Sequence, residues 1–333
     1  MSTHVFQFKP SLIACAAAAA MLTACGGGGS DSSADAAAID DATATAYAAN
    51  ATQIASDAGS ATDTAVETAQ TMIGLAAVAS AGDDRATALA VPAATTTQSC
   101  PGGGSATLSI TGGTPASVIN GKLDAGEVYA IAFAACKDVT GASTLNGSMA
   151  MAVLAASGDT SNGTLGLSLT FTDLSAALGQ GSASLNGSVS RTVTVSTDAS
   201  GVHLASHFVA TGLTLATHYN TRNSSFTLSA TDIQRSVTLV GGLPQSSTIN
   251  GTHTLSATLP NGAFSYTVAT IGSTSYSASG LPVSGGWTIT LPQNLIGVVV
   301  ANGQATITID KGKDGTIDRT IIVPVPTLVA NAG

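Results

Sequence analysis

His203, His207 and His218 are the residues whose type and spacing come nearest to chemistry. His203 and His207 differ by an even number, so on a strand they share a face. A tight turn at Thr211-Gly212 would bring His218 onto that face, diagonal to His207. Three imidazoles so placed could hold zinc or copper. A one-residue slip of register would scatter them, and we read them as polar residues on the wet side of a hairpin, with no metal site. Asp310, Asp314, Gly315 and Asp318 in DKGKDGTID resemble a calcium loop. Gly312 occupies a ligand position, however, no bidentate Glu closes the loop, and Lys311 and Lys313 add positive charge. Flanked by ATITI and TIIVPV, the segment reads as a charged hairpin turn. NGKLDAGE at 120–127 places Asp124 and Glu127 like half of such a loop and also reads as a turn. The chain contains no G-x-S-x-G elbow. Only Glu67 and Glu127 are glutamates, so no carboxylate pair stands out for glycoside hydrolysis. Arg191 sits in the alternating row Val189, Val193, Val195. It is read as an arginine reaching to the sheet edge, the alternative being a ligand-binding charge inside a cavity. No catalytic set and no cofactor motif emerges.

The elements that carry these residues have a period of two. Leu165, Leu167, Leu169 and Phe171 alternate with Thr164, Gly166, Ser168 and Thr170. Phe264, Tyr266 and Val268 do the same, as do Trp287, Ile289 and Leu291, and Ile307 with Ile309. Each run therefore has one apolar face and one Ser/Thr face. Asn-Gly at 120, 146, 162, 186, 250, 261 and 302, and Gly-Gly at 112, 241 and 285, read as turns between them. A weak repeat joins STLNGSMAMAVLA from Ser143, ASLNGSVSRTVTVS from Ala183 and STINGTHTLSATL from Ser247. Its separations, 40 and 64 residues, fit no solenoid or propeller. The expected fold is mainly β: a large antiparallel sheet, sandwich or barrel, preceded by an Ala-rich, partly helical stalk.

Composition narrows the function. The 333 residues include 10 Lys+Arg against 19 Asp+Glu, and only 9% are charged. No basic patch could neutralise several phosphates, which excludes a nucleic-acid binder of the usual kind. Residues 26–99 hold nine acidic residues against Arg85 alone, whereas residues 101–333 hold ten against eight. The segment 34–80 is rich in Ala, the best helix former. Its large side chains are sparse, with Tyr47 and Ile54, then Val66 and Ile73, at two-turn steps. That predicts helices over about 34–57 and 61–80 that bury little by themselves. Residues 82–99 read as linker.

The N-terminus reads as an address. SLIACAAAAAMLTA, residues 11–24, is too short to span a bilayer but fits the apolar core of a secretory signal. It ends in Leu22-Thr23-Ala24-Cys25, followed by GGGGS, which resembles the lipobox of bacterial lipoproteins. Leu12-Ile13-Ala14-Cys15 has too little apolar chain ahead of it. The resemblance implies that Cys25 is lipidated and becomes the first mature residue, anchored by three acyl chains, since one alone is marginal. It also implies the outer membrane, because Gly26 rather than Asp follows the cysteine. With the signal set aside, Cys100 and Cys136 remain, and an exported chain with two cysteines most simply pairs them. Closing that loop is worth about 4 kcal/mol in the chain-entropy account. The layout as a whole resembles β-rich lipoproteins of proteobacteria: lipobox, Gly tether, Ala-rich segment, then a Cys-bracketed start, with GKLDAGE at 121–127, to a Ser/Thr/Gly-rich β domain.

The expected organisation is a signal peptide over 1–24, a flexible tether over 25–33, an Ala-rich segment and linker over 34–99, and a β domain over 100–333 able to fold without the Ala-rich part. Three functions follow as expectations. The first is an outer-membrane-anchored lipoprotein, not an enzyme, whose sheet is a binding or structural module for an envelope protein or other partner. The second is a periplasmic carrier of a lipid or other apolar ligand in a barrel or half-barrel cavity. The third is a membrane-spanning barrel, which the scarcity of Trp and Tyr disfavours.

Overall fold

A computed structural model describes residues 39–49, 51, 93–113, 122–137, 143–159, 161–178, 181–220, 222–259 and 262–330. The signal, Cys25, the tether and the second expected helix lie outside the described residues. Sixteen strands form one antiparallel sheet: β1 (Ala93–Ser99), β2 (Ser105–Gly112), β3 (Glu127–Lys137), β4 (Ser143–Gly158), β5 (Gly163–Leu178), β6 (Gly181–Asp198), β7 (Gly201–Ala210), β8 (Leu213–Tyr219), β9 (Arg222–Val240), β10 (Leu243–Leu259), β11 (Gly262–Thr270), β12 (Thr274–Ser277), β13 (Pro282–Thr290), β14 (Asn294–Ala301), β15 (Gln304–Lys311) and β16 (Arg319–Pro324). Two helices accompany them, α1 (residues 41–49) and α2 (Val325–Ala330).

Each strand pairs with its neighbours in sequence, so the sheet is a meander. β8 and β12 lie off the main path. β7 and β8 pair one after the other with β6 and again with β9, so they are one strand line interrupted at Thr211-Gly212. β11 and β12 relate to β10 in the same way. Among the described residues β1 and β16 have one partner each, so the ladder is open.

The alternation holds across the whole sheet. One row on the apolar face reads Ile110, Tyr129, Met151, Leu169, Val189, Ala210 from β2 to β7. Another reads His253, Val268, Ile289, Ile296, Ile309 from β10 to β15. The opposite face is a hydroxyl face. Thr97–Thr107, Thr164–Thr194, Thr214–Thr227 and Thr254–Thr267 bridge adjacent strands at 2.9–3.1 Å.

The expected boundary at residue 100 falls inside the sheet. β1 pairs with β2 from Ala93 to Ser99, where a linker was expected. Its sequence, AATTTQS, has no large apolar alternation to reveal it. Thr95 and Thr97 instead meet Ser109 and Thr107 on β2.

The described part of the Ala-rich segment is helical, as its composition predicts, yet it lies on the sheet rather than apart from it. Asp40 caps α1 by accepting the Thr43 N–H at 2.7 Å. Ala44, Ala48 and Ala51 then share a face and are buried with Trp287, Ile296 and Val298. Methyl-sized side chains let the helix backbone approach the sheet closely, so the stripe that packs is made of Ala. Tyr47 adds an edge-to-face contact with Tyr266. Val325 and Leu328 of α2 complete the same cluster.

The repeat does not mark hairpins. Asn146-Gly147, Asn186-Gly187 and Asn250-Gly251 lie inside β4, β6 and β10. Beside them the neighbouring strands β3, β5 and β9 carry bulge residues at positive φ: Ala135, Asp173 and Ala230. The Asn146 side chain accepts the Ala135 N–H at 2.8 Å, and Asn186 accepts that of Asp173 at 2.7 Å. A Cβ on Gly147 would lie 2.1 Å from the Asp173 carbonyl oxygen, so only glycine fits. The breaks at Thr211-Gly212 and at 271–273 continue this line across the sheet. Bulges bend strands and sharpen twist, so the repeat encodes a bend line. Asn162 and Asn302 do sit in turns, while the Asn-Gly steps at 120 and 261 lie outside the described residues.

Candidate functional site

The three histidines do share the hydroxyl face, but they do not meet. Because β7 runs straight on into β8, no hairpin folds His218 back. His203 and His218 stand at opposite ends of one strand line, about 50 Å apart at 3.3 Å per residue. Each has its own neighbour: His203 Nε2 lies 3.1 Å from Asp198 Oδ1, His207 Nε2 lies 2.8 Å from Asp232 Oδ1, and His218 pairs with Asn223. Ser200 and His203 hold the Asp198 carboxyl down at about 2, the serine contributing most. Among the described residues no group of three or more His, Cys, Asp or Glu is arranged to hold a metal.

The acidic segments are turns. Asp310 accepts the N–H groups of Asp314 and Gly315 at 3.1 and 3.0 Å, and Asp318 accepts that of Lys311 at 2.6 Å. Their oxygens are spent on backbone between β15 and β16. Glu127 is fully buried, and its Oε2 accepts the Asp124 N–H at 2.9 Å and the Tyr129 hydroxyl at 2.7 Å. Burial first, and then this hydrogen bond, push the Tyr129 phenol well above its ordinary range.

Cys100 and Cys136 are joined, with Cα atoms 5.3 Å apart. The bond ties the β1–β2 turn to the bulged end of β3. The PGGG turn adds backbone pairing there, Gly102 N–H to Lys137 O and Lys137 N–H to Gly103 O.

The apolar face is unevenly used. Four buried clusters lie on the sheet. Between the bend line and the hairpin tips at 198–201 and 240–243, a further patch belongs to none of them. Val193 and Val195 of β6, Val202 and Leu204 of β7, and Val237 and Leu239 of β9 point the same way and are half-buried. Arg191 and Arg235 share that face. Arg191 pairs across to Phe208, and Arg235 stands between Ser206 and Ile249. The Arg235 Nε–H is buried without an acceptor. Tyr276, on the neighbouring β12, is pushed up to about 12 by burial, against the pull of the Arg235 guanidinium. Arg191 was legible as a charge in an apolar row. Arg235, in the equivalent row Ile233, Val237, Leu239, gave the same signal and was not singled out.

No family model matches the chain, and no curated protein or solved structure matches it.

Proposed function

We propose that this is an envelope lipoprotein, anchored to the outer membrane through Cys25, whose sheet is a non-enzymatic binding module. The supporting observation is how the side chains are used. The histidines and aspartates that could do chemistry are engaged in turns and cross-strand pairs, while the longest strands leave half-buried aliphatics outside every core cluster. That second fact favours one form of the reading, a carrier that holds an apolar ligand on the buried face. The outward Ser/Thr face is the reverse of the apolar band that a lipid-facing barrel presents.

Two measurements test the reading. Cys25→Ser should move the protein from the membrane fraction to the soluble periplasmic fraction; retention after a carbonate wash would remove the anchor. Organic extraction of protein purified from envelopes should yield an apolar molecule in stoichiometric amount, and an empty extract would remove the carrier form.

A further inference from the structure

We infer that the half-buried aliphatics of β6, β7 and β9, together with Arg235, form a binding track for a long-chain carboxylate, its head on the guanidinium and its chain running toward the hairpin tips. The inference rests on the carrier form of the proposed function and gives it a place and a ligand class.

Three observations carry it. First, the patch is continuous. Register places Val195, Leu204 and Val237 in one cross-strand row and Val202 and Leu239 in the next. Three strands at 4.8 Å and four residues at 3.4 Å give a surface about 10 Å wide and 14 Å long from Arg235 to Leu239. That length suits an extended chain of about a dozen carbons. Leu243, at the tip, is 67% exposed and prolongs the apolar surface outward.

Second, the charge has one sign. Between the bend line and the tips, the charged residues on this face of β6, β7, β9 and β10 are Arg191 and Arg235, both cationic. The nearby carboxylates Asp198 and Asp232 are engaged with His203 and His207 on the other face or at the tip. A ligand that matches this surface is an anion with an apolar body.

Third, Arg235 lacks an acceptor where it most needs one. Its Nε–H is buried and unpartnered, and leaving a charged donor so is costly. A planar guanidinium pairs best with a planar carboxylate, through two parallel N–H···O bonds. The head is therefore assigned as a carboxylate, and the polar end sits at the bend line with the chain directed away from it.

The test is titration calorimetry of the full mature chain with dodecanoate and with dodecanol, both below micellar concentration. Dodecanoate should bind one per chain and at least tenfold more tightly than dodecanol. Arg235→Gln should bring the two within about twofold of each other, and Arg235→Lys should restore part of the gap. In the wild-type chain, the Arg235 Nε–H resonance should shift on adding dodecanoate and stay in place with dodecanol. Equal binding of the two in the wild type, or a gap that survives Arg235→Gln, overturns the site. If Arg235→Gln does not fold, the wild-type comparison and the resonance still decide. Failure of dodecanoate to bind, beside envelope-purified protein that does carry an apolar molecule, overturns this site and leaves the carrier reading standing.

Discussion

Two regions of one sheet carry the same alternating pattern and meet different fates. On β13–β15, Ile289, Ile296, Val298, Ile307 and Ile309 are 0% exposed, because α1 and α2 lie over them. On β6, β7 and β9 near the tips, Val195, Leu204 and Val237 repeat the pattern and stay half-buried. Alternation specifies which face of a strand is apolar. It does not specify what covers that face. The first region is stability, fixed by helices from both ends of the described chain. The second is surface held ready, and its energetic signature should be weak in the free protein.

The comparison breaks most clearly under truncation. Ile296→Ala leaves a cavity in a fully packed layer and should cost about 3–4 kcal/mol. Leu204→Ala removes a side chain that is already half in water and should cost under about 1 kcal/mol. Urea unfolding of the two variants reads the difference. Equal losses would mean that the tip region is as well packed as the C-terminal one, and the binding track would go with the distinction.

A second measurement probes the seam between the regions. His253 lies on the apolar face of β10, buried, with Nε2 unpartnered. Burial lowers its value to about 4. A histidine depressed in the folded state is stabilising when neutral, so the unfolded chain takes up the proton first. Stability should be full above about pH 6.5 and fall as pH drops toward 4, by on the order of 3 kcal/mol. Unfolding midpoints between pH 7 and 4 should show that slope, and His253→Gln should flatten it. A slope unchanged in the variant would place the titration elsewhere.

The fold class was legible because period two needs nothing but side-chain order. The disulfide was legible from two cysteines in an exported chain. Other features were hidden for physical reasons. β1 has no apolar alternation, since its Thr residues pair through hydroxyls. α1 packs with Ala44, Ala48 and Ala51, and a search for large side chains at helical spacing passes over a stripe of methyls. Asn-Gly is the best short hairpin signal, but at 146, 186 and 250 the same pair serves a bulge: asparagine caps the bulge N–H at the first two, and glycine makes room for the carbonyl. Arg235 was missed because a lone cation in a strand reads as an edge residue until its neighbours are known.

That bend line yields a smaller test, again by contrast. Gly147 and Gly303 both have positive φ, 90° and 75°. A Cβ on Gly147 collides with the Asp173 carbonyl, whereas one on Gly303 meets nothing within 4 Å. Gly303→Ala should show only the backbone penalty, about 1 kcal/mol. Gly147→Ala should cost about 2 kcal/mol or more, because β4 or β5 must shift. Thermal unfolding distinguishes them. Equal effects would make the repeat a mere run of permissive residues and remove its role in bending the sheet.

The smallest expected effect concerns what holds α1 over the packed region. Asp41 Oδ2 lies 2.6 Å from Arg319 Nη2, linking the first turn of the helix to β16. The two side chains are 42% and 58% exposed, so solvent screens the pair, and such pairs contribute at most about 1 kcal/mol. Asp41 Oδ1, moreover, is buried without a partner, which offsets part of the gain. The Ala44, Ala48 and Ala51 stripe should therefore do most of the holding. A double-mutant cycle of Asp41→Asn and Arg319→Gln should give a coupling under about 1 kcal/mol that fades in high salt. Ala48→Leu, which drives a larger side chain into the sheet, should destabilise more than either, by about 1–3 kcal/mol. If the cycle instead exceeds the Ala48→Leu effect, charge rather than close packing fastens the helix, and the covered region would open with rising ionic strength.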